Sequence, residues 1–139
     1  MNNQPTQNLL PDFVVPDLHL FEYFRIGGTR PGSIRYKETQ ISKGNLDLQF
    51  LQDLWIKQKG RCLIGGNLLY IKKGGKWAKG IRTWDKASID RIDNNKLYTE
   101  DNVQFLSLTM NYAKNRDDME GFGEYMKQIA PFNLRTPNV

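Results

Sequence analysis

The chain has 139 residues, enough for one domain burying about two-thirds of the surface its unfolded form exposes. With 39% hydrophobic and 12% aromatic residues it can build a core and is not a disordered polyampholyte. Lys and Arg number 20 against 15 Asp and Glu, a net charge of +5; one Cys excludes a disulfide framework and Cys₄ or Cys₂His₂ zinc sites, and one His excludes a two-His motif such as HExxH.

The charge is unevenly placed. Residues 1–24 carry Asp12, Asp17 and Glu22 and no base, residues 25–86 carry 14 bases and 4 acids, and residues 87–139 carry 6 bases and 8 acids. A segment of net +10 can track phosphates, each contact releasing condensed counterions; the bland alternative is a solvated basic surface. The acidic segment can hold a cation. Apolar runs are too short for a transmembrane helix, and the N-terminus has no basic start followed by an apolar stretch. The expectation is a soluble, intracellular (cytoplasmic) protein with no membrane partner.

Residues 1–24 are rich in Asn, Gln and Pro and then turn apolar with Leu18, Leu20, Phe21, Tyr23 and Phe24, so the later part of this arm is expected to pack on the domain. Residues 25–45 hold five glycine or proline punctuators among basic residues, which predicts a basic loop with one short strand around Ile34–Tyr36. Gly27-Gly28 has no GxxxxGK[ST] around it, so this is not a phosphate-binding P-loop. Phe50, Leu51, Leu54 and Trp55 form one apolar stripe, predicting a helix over 48–59 with Asp47 as N-cap and Gly60 at C′. Residues 61–64 and 67–71 around Gly65-Gly66 read as a tight hairpin. Residues 72–86 form a basic, Gly-rich loop with Trp77 and Trp84, either core or lid residues or stacking platforms for bases.

Strands are predicted over 87–92 and 103–106, separated by a polar, turn-like stretch. A helix is expected from Ser107 or Leu108 to about Asn115. Asp117 or Asp118 then caps a last helix with Met119, Phe122, Met126 and Ile129 at helical spacing, weakened by Gly121 and Gly123 and stopped by Pro131.

Polar residues fall at fixed places in this order. Asp90 and Arg91 end the first strand, Asn102 opens the second 12 residues after Asp90, and Asn111 lies 9 residues further, with Lys114 on the same helical face. A strand carboxylate and a helix amide oxygen can share one hard divalent cation, which keeps open positions for water and phosphate. Lys114 or Arg116 could grip a neighbouring phosphate. Singly, each residue also has a plain role: Asp93, Asn94 and Asn95 as turn formers, Asn102 as a turn anchor, Asp90 and Arg91 as a structural ion pair.

From Leu46 to Ile129 the chain resembles the HNH endonucleases of the ββα-metal (His-Me) finger superfamily, in its phage and bacterial subgroup. The residues that carry the likeness are Leu54-Trp55, Lys57, Gly60, Cys62 and Gly65, then Ser88-Ile-Asp-Arg-Ile-Asp93, then Tyr98-Thr-Glu-Asp-Asn-Val-Gln104, then Asn111-Tyr-Ala-Lys114. The resemblance implies an α+β fold: an arm and basic loop over 1–45, then an HNH-like ββα-metal domain over 46–139 with a preceding helix and hairpin and a C-terminal helix. It implies a metal-dependent endonuclease cutting phosphodiester bonds in DNA, of a kind common in phages and mobile elements, with RNA as the other candidate polymer and a homodimer as one route to site reading.

The resemblance also implies residue roles. Asp90 falls on the metal-binding Asp, Asn102 on the loop-ordering Asn, and Asn111 on the helix residue that completes a Mg²⁺ or Mn²⁺ site. Arg91 falls on the catalytic His. Lys72, Lys73, Lys76, Lys79, Arg82, Lys114 and Arg116 are the expected nucleic-acid contacts. The chain departs from the family in two ways. Arg stays protonated and cannot act as a base; Arg91 is expected to stabilise phosphate charge, leaving Asp93, Tyr98, Tyr112, a metal-bound hydroxide or a group from elsewhere as base, with His19 outside the motif region as a surface or packing residue. Cys62 stands alone, so the structural zinc of many relatives is absent. The alternative is an HNH-like nucleic-acid-binding module without catalysis; a third reading is a structural protein in which the polar set is a turn and ion-pair network.

Overall fold

A computed structural model describes residues 12–26 and 34–114, together with residues 121, 123, 124, 127 and 128. The fold is mixed helix and strand, compatible with the α+β expectation. A 3₁₀ helix over Leu18–Arg25 is followed by α1 (Ile34–Gly44), α2 (Leu48–Lys57), a long irregular segment, β1 (Ala87–Arg91), β2 (Val103–Ser107) and α3 (Leu108–Lys114). Arg116 and most of the expected C-terminal helix lie outside the described residues; residues 121, 123, 124, 127 and 128 are helical.

The core is aromatic and draws on the N-terminal arm. Phe21 and Phe24 are buried with Trp55 of α2 and Phe105 of β2. Trp55 meets Phe105 edge-on at 5.3 Å and Phe21 edge-on at 5.8 Å, the arrangement ring quadrupoles favour. The Trp55 indole N–H donates to the Val14 carbonyl at 3.0 Å, which ties the arm's start to α2. Arg25 donates twice to the Gly44 carbonyl, at 3.0 and 2.6 Å, closing the end of α1 against the 3₁₀ helix.

The expected strand at Ile34–Tyr36 is instead the first turn of α1. Periodicity concealed this helix because its buried face is polar. Thr39 and Ser42 are buried while Ile34 and Ile41 are exposed. The Ser42 hydroxyl donates to the Thr39 carbonyl and accepts from the Tyr98 amide, so both of its hydrogen-bonding capacities are used inside the fold.

α2 begins where the sequence places it and ends two residues short of the expected 59, at Lys57. The Asp47 carboxylate accepts from the Phe50 N–H at 3.1 Å, and Leu51 and Trp55 face the core. The helix ends in a left-handed bend shared by Lys59 (φ 55) and Gly60 (φ 62), so Lys59 takes the C′ position expected of Gly60, and Gly60 follows it. A methyl group on Gly60 would lie 2.9 Å from Phe13 Cβ and 3.0 Å from Trp55 Nε1. With positive φ added, Gly60→Ala should destabilise the protein by about 1–3 kcal/mol, read as a lower urea midpoint. A midpoint equal to wild type would show that the arm yields at Phe13 without cost.

The predicted hairpin is reduced to one antiparallel bridge, Arg61 to Leu68, around Gly65 and Gly66. Tyr70 then leaves it to pair in parallel with Lys86 at the start of β1. β1 and β2 pair antiparallel, with Ala87 opposite Ser107 and Asp90 opposite Gln104. Every residue of β2 is buried. Cys62 is a buried thiol whose Sγ accepts from the Ser107 N–H. The Ser107 hydroxyl accepts from the Met110 N–H and so caps α3. Neither Trp77 nor Trp84 enters the core. Trp77 is half-buried at the rim, edge-on to Tyr23 at 5.9 Å, and Trp84 is 50% exposed beneath Arg82.

Candidate functional site

The site is a seam between β1 and α3. Side chains on alternate residues of β1 share a face, so Ser88 and Asp90 point one way and Ala87 and Ile89 point to the core. On α3, Asn111 and Lys114 lie three residues apart and share a face. They meet β1 as two rungs. Asn111 Nδ2 donates to Ser88 Oγ at 3.0 Å and to the Ile89 carbonyl at 3.1 Å. Lys114 Nζ donates to the Arg91 carbonyl at 2.7 Å and lies 3.2 Å from each oxygen of the Asp90 carboxylate.

Asp90 is 3% exposed and accepts a third contact, from Gln104 Nε2 at 3.0 Å. Burial pushes its carboxyl above the usual carboxylate range, while Gln104, Lys114 and Arg91 pull the other way. Lys114, expected at the phosphate backbone, is fully buried in this seam. The reason is geometric: one helical turn past Asn111 the side chain points into the same seam, and only a carboxylate and carbonyls can satisfy its charge there.

Arg91 is bound to the loop it precedes. Its Nη1 donates to the carbonyls of Asn94 and Lys96, at 3.0 and 3.1 Å, and its guanidinium lies 5.4 Å from the Tyr98 ring. Burial raises the Tyr98 phenol above its usual range, so it holds its proton at neutral pH and is a poor candidate base. Asn102 closes the same loop. Its Oδ1 accepts from Asp93 N–H at 2.9 Å, and its Nδ2 donates to the carbonyls of Asp93 and Leu97 at 3.0 and 2.9 Å. Asp93 in turn accepts from the Asn95 amide, an Asx turn.

The fold thus brings together Asp90, Arg91, Asn111 and Lys114, with Asn102 behind them as the loop's anchor. Lys73, Lys76, Lys79 and Arg82 are exposed on the irregular segment, and Lys72 is half-buried beside Tyr23. Three residues at the site carried no sequence reading of this kind. Gln104 is legible once the strands are paired, because it stands opposite Asp90. Lys43 and His19 line the cleft that also contains Asn111 and Ser88; they arrive from α1 and the 3₁₀ helix, and no local pattern announces them.

A divalent cation is implied by the resemblance, and the donor chemistry admits a hard one. Mg²⁺ takes one or two carboxylates and keeps several waters. Asp90 would supply the carboxylate, and Asn111 would supply an amide oxygen, since its nitrogen is the atom bound to β1. The Lys114 contacts to Asp90, at 3.2 Å, are longer than the 2.7–2.9 Å of a strong charge-assisted bond. Its tightest contact is the Arg91 carbonyl, at 2.7 Å. Among the described residues no group of three or more His, Cys, Asp or Glu gathers as a metal cluster. No described helix is long and apolar enough to cross a membrane.

In comparisons with known proteins, no family model, no curated protein and no solved structure matches the chain significantly.

Proposed function

We propose that this chain is a metal-dependent endonuclease of the HNH type that hydrolyses phosphodiester bonds in DNA. The observation that carries the reading is the β1–α3 seam, in which Asp90 and Asn111 are held on adjoining rungs behind a loop closed by Asn102. A β-loop-β-α order with these residue types at these places is the arrangement the ββα-metal resemblance calls for.

Each residue has a part. Asp90 and Asn111 present hard oxygens to Mg²⁺ or Mn²⁺. The bound ion would supply Lewis-acid stabilisation of the 3′ leaving oxygen. Arg91, held by two loop carbonyls through one nitrogen, keeps further N–H donors for the scissile phosphate. Gln104 fixes the Asp90 carboxylate. Lys114 lends the seam positive charge and braces the end of β1 through the Arg91 carbonyl.

A second reading is favoured by a specific observation. The Lys114 ammonium already neutralises Asp90, and a permanently charged Arg occupies the place where the resembling family keeps its base. This describes a nucleic-acid-binding module that retains the scaffold without cleavage.

One assay separates the two. Purified protein incubated with supercoiled plasmid and Mg²⁺ or Mn²⁺ should nick or linearise it, EDTA should stop the reaction, and Asp90→Ala and Asn111→Ala should each lose at least about 100-fold in rate, the scale of losing an electrostatic contact to the transition state. DNA and RNA binding without cleavage, with every divalent ion tried, would establish the binder instead.

A further inference from the structure

The seam opens into a cleft of about 660 Å³ between the 3₁₀ helix, α1, the turn at Gly74-Gly75, β1 and α3. Asn111 and Ser88 form part of its wall, so whatever enters it meets the rung beside Asp90. Two ammonium groups also line it. Lys43 comes from the last turn of α1, and Lys72 precedes the glycine turn. Among the described residues the lining contains no Asp or Glu. Among the described residues neither lysine has a carboxylate partner.

Each ammonium is placed against a tyrosine face of the same cleft. Lys43 Nζ lies 5.7 Å from the Tyr98 ring centroid and Lys72 Nζ 5.9 Å from that of Tyr23. Such contacts orient a cation without neutralising it. Burial pulls the Lys43 ammonium below the usual lysine range, the mark of a cation that has lost water and gained no counter-charge. An anion that entered would replace both.

We propose that this cleft is a phosphate-binding subsite in which Lys43 and Lys72 hold one phosphodiester of a nucleic-acid strand against the Asn111–Ser88 rung. Four observations favour this ligand. The cleft carries two lysines, its described lining has no acid, neither lysine has a carboxylate partner among the described residues, and it combines lysines with aromatic faces as strand-binding grooves do. The inference rests on the reading that the chain acts on nucleic acid, and it adds Lys43, which lies outside the basic 72–82 segment, and the route by which a strand reaches the seam.

The test uses the full chain and fluorescein-labelled DNA oligonucleotides, single- and double-stranded, with affinity followed by anisotropy over a salt series. Lys43→Gln and Lys72→Gln should each weaken binding several-fold. The double variant should lower the slope of log affinity against log salt by about 0.7–0.9, the value for one lost phosphate contact. Lys57→Gln, on an exposed position of α2 outside the cleft, should match wild type. Bound DNA should also protect Lys43 and Lys72 from acetylation, which needs no variant. Inorganic phosphate is the other source of this chemistry. If it displaces DNA only at the concentration where chloride of equal ionic strength does, the cleft reads the strand; displacement well below that identifies a free-anion site and overturns the proposal. If the double variant keeps wild-type affinity and slope, the strand lies elsewhere and the subsite is wrong, while the nuclease reading stands on its cleavage assay. Cleft-dependent binding without cleavage has the reverse meaning. No binding to any oligonucleotide overturns both.

Discussion

Replacing Lys114 by Met is expected to cost about 3–5 kcal/mol, the usual result of removing one partner from a buried ion pair. Met keeps the unbranched stem as far as the ε position, so the change isolates the ammonium. What it leaves is Asp90, 3% exposed and bonded to Gln104, and an Arg91 carbonyl without its 2.7 Å donor. Urea midpoints at neutral pH measure the loss; a deficit under about 1 kcal/mol would mean the ammonium is not what neutralises the carboxylate.

The pH dependence of that deficit has a definite sign. Burial already raises the Asp90 carboxyl, and Lys114 opposes the rise through both its charge and its hydrogen bond. Without Lys114 the carboxyl rises further. A carboxyl with a raised folded-state pKa keeps its proton in the folded chain over a range in which the unfolded chain has lost it. Its penalty is therefore absent below the unfolded value of about 3.9 and grows as pH climbs to the folded value. Lys114→Met should be closest to wild type near pH 4, with the gap widest at neutral pH. The double variant Asp90→Asn/Lys114→Met removes both charges and should be more stable than the sum of the singles, with a coupling of about 1–3 kcal/mol. Simple additivity would place the two groups out of contact in solution.

Asn102→Ala should lose about 2–4 kcal/mol, because it strips partners from three backbone groups at once, each worth about 1–3 when buried and somewhat less where water can reach. Those groups are the Asp93 N–H, the Asp93 carbonyl and the Leu97 carbonyl. The effect should spread along the loop. Arg91 is held by the Asn94 and Lys96 carbonyls inside it, so a loosened loop releases the guanidinium too. Amide hydrogen exchange should accelerate over residues 92–101 while β2, buried along its whole length, stays protected. Unchanged exchange in the loop would show that Asn102 is not its anchor. Under the nuclease reading, cleavage should fall along with loop order.

Local chemistry was enough for part of the fold. The α2 stripe of Leu51 and Trp55 and the Asp47 cap can be read from a dozen residues, because helical period and capping depend only on near neighbours. Both strands and the start of α3 follow from short apolar runs bounded by turn formers. The hairpin was half legible. Gly65-Gly66 marks the turn, but Tyr70 pairs with Lys86, sixteen residues on, and no local signal carries that choice.

By itself, then, the sequence determined the charge layout, the single Cys and single His, and the order strand, polar loop, strand, helix with Asp90, Arg91, Asn102 and Asn111 at set places. Only tertiary structure decided what those residues touch. α1 is a helix because Thr39 and Ser42 find their partners in the fold, including the Tyr98 amide 56 residues away. Lys114 is an internal counter-ion because α3 docks with that face on β1, and Gln104 joins Asp90 because antiparallel register sets them opposite. Lys43 and Lys72 share a cleft because two segments distant in sequence both fold to line it. The physical reason is common to all of these: period and capping are properties of a segment, whereas the partner of a buried charge is set by what packs across from it.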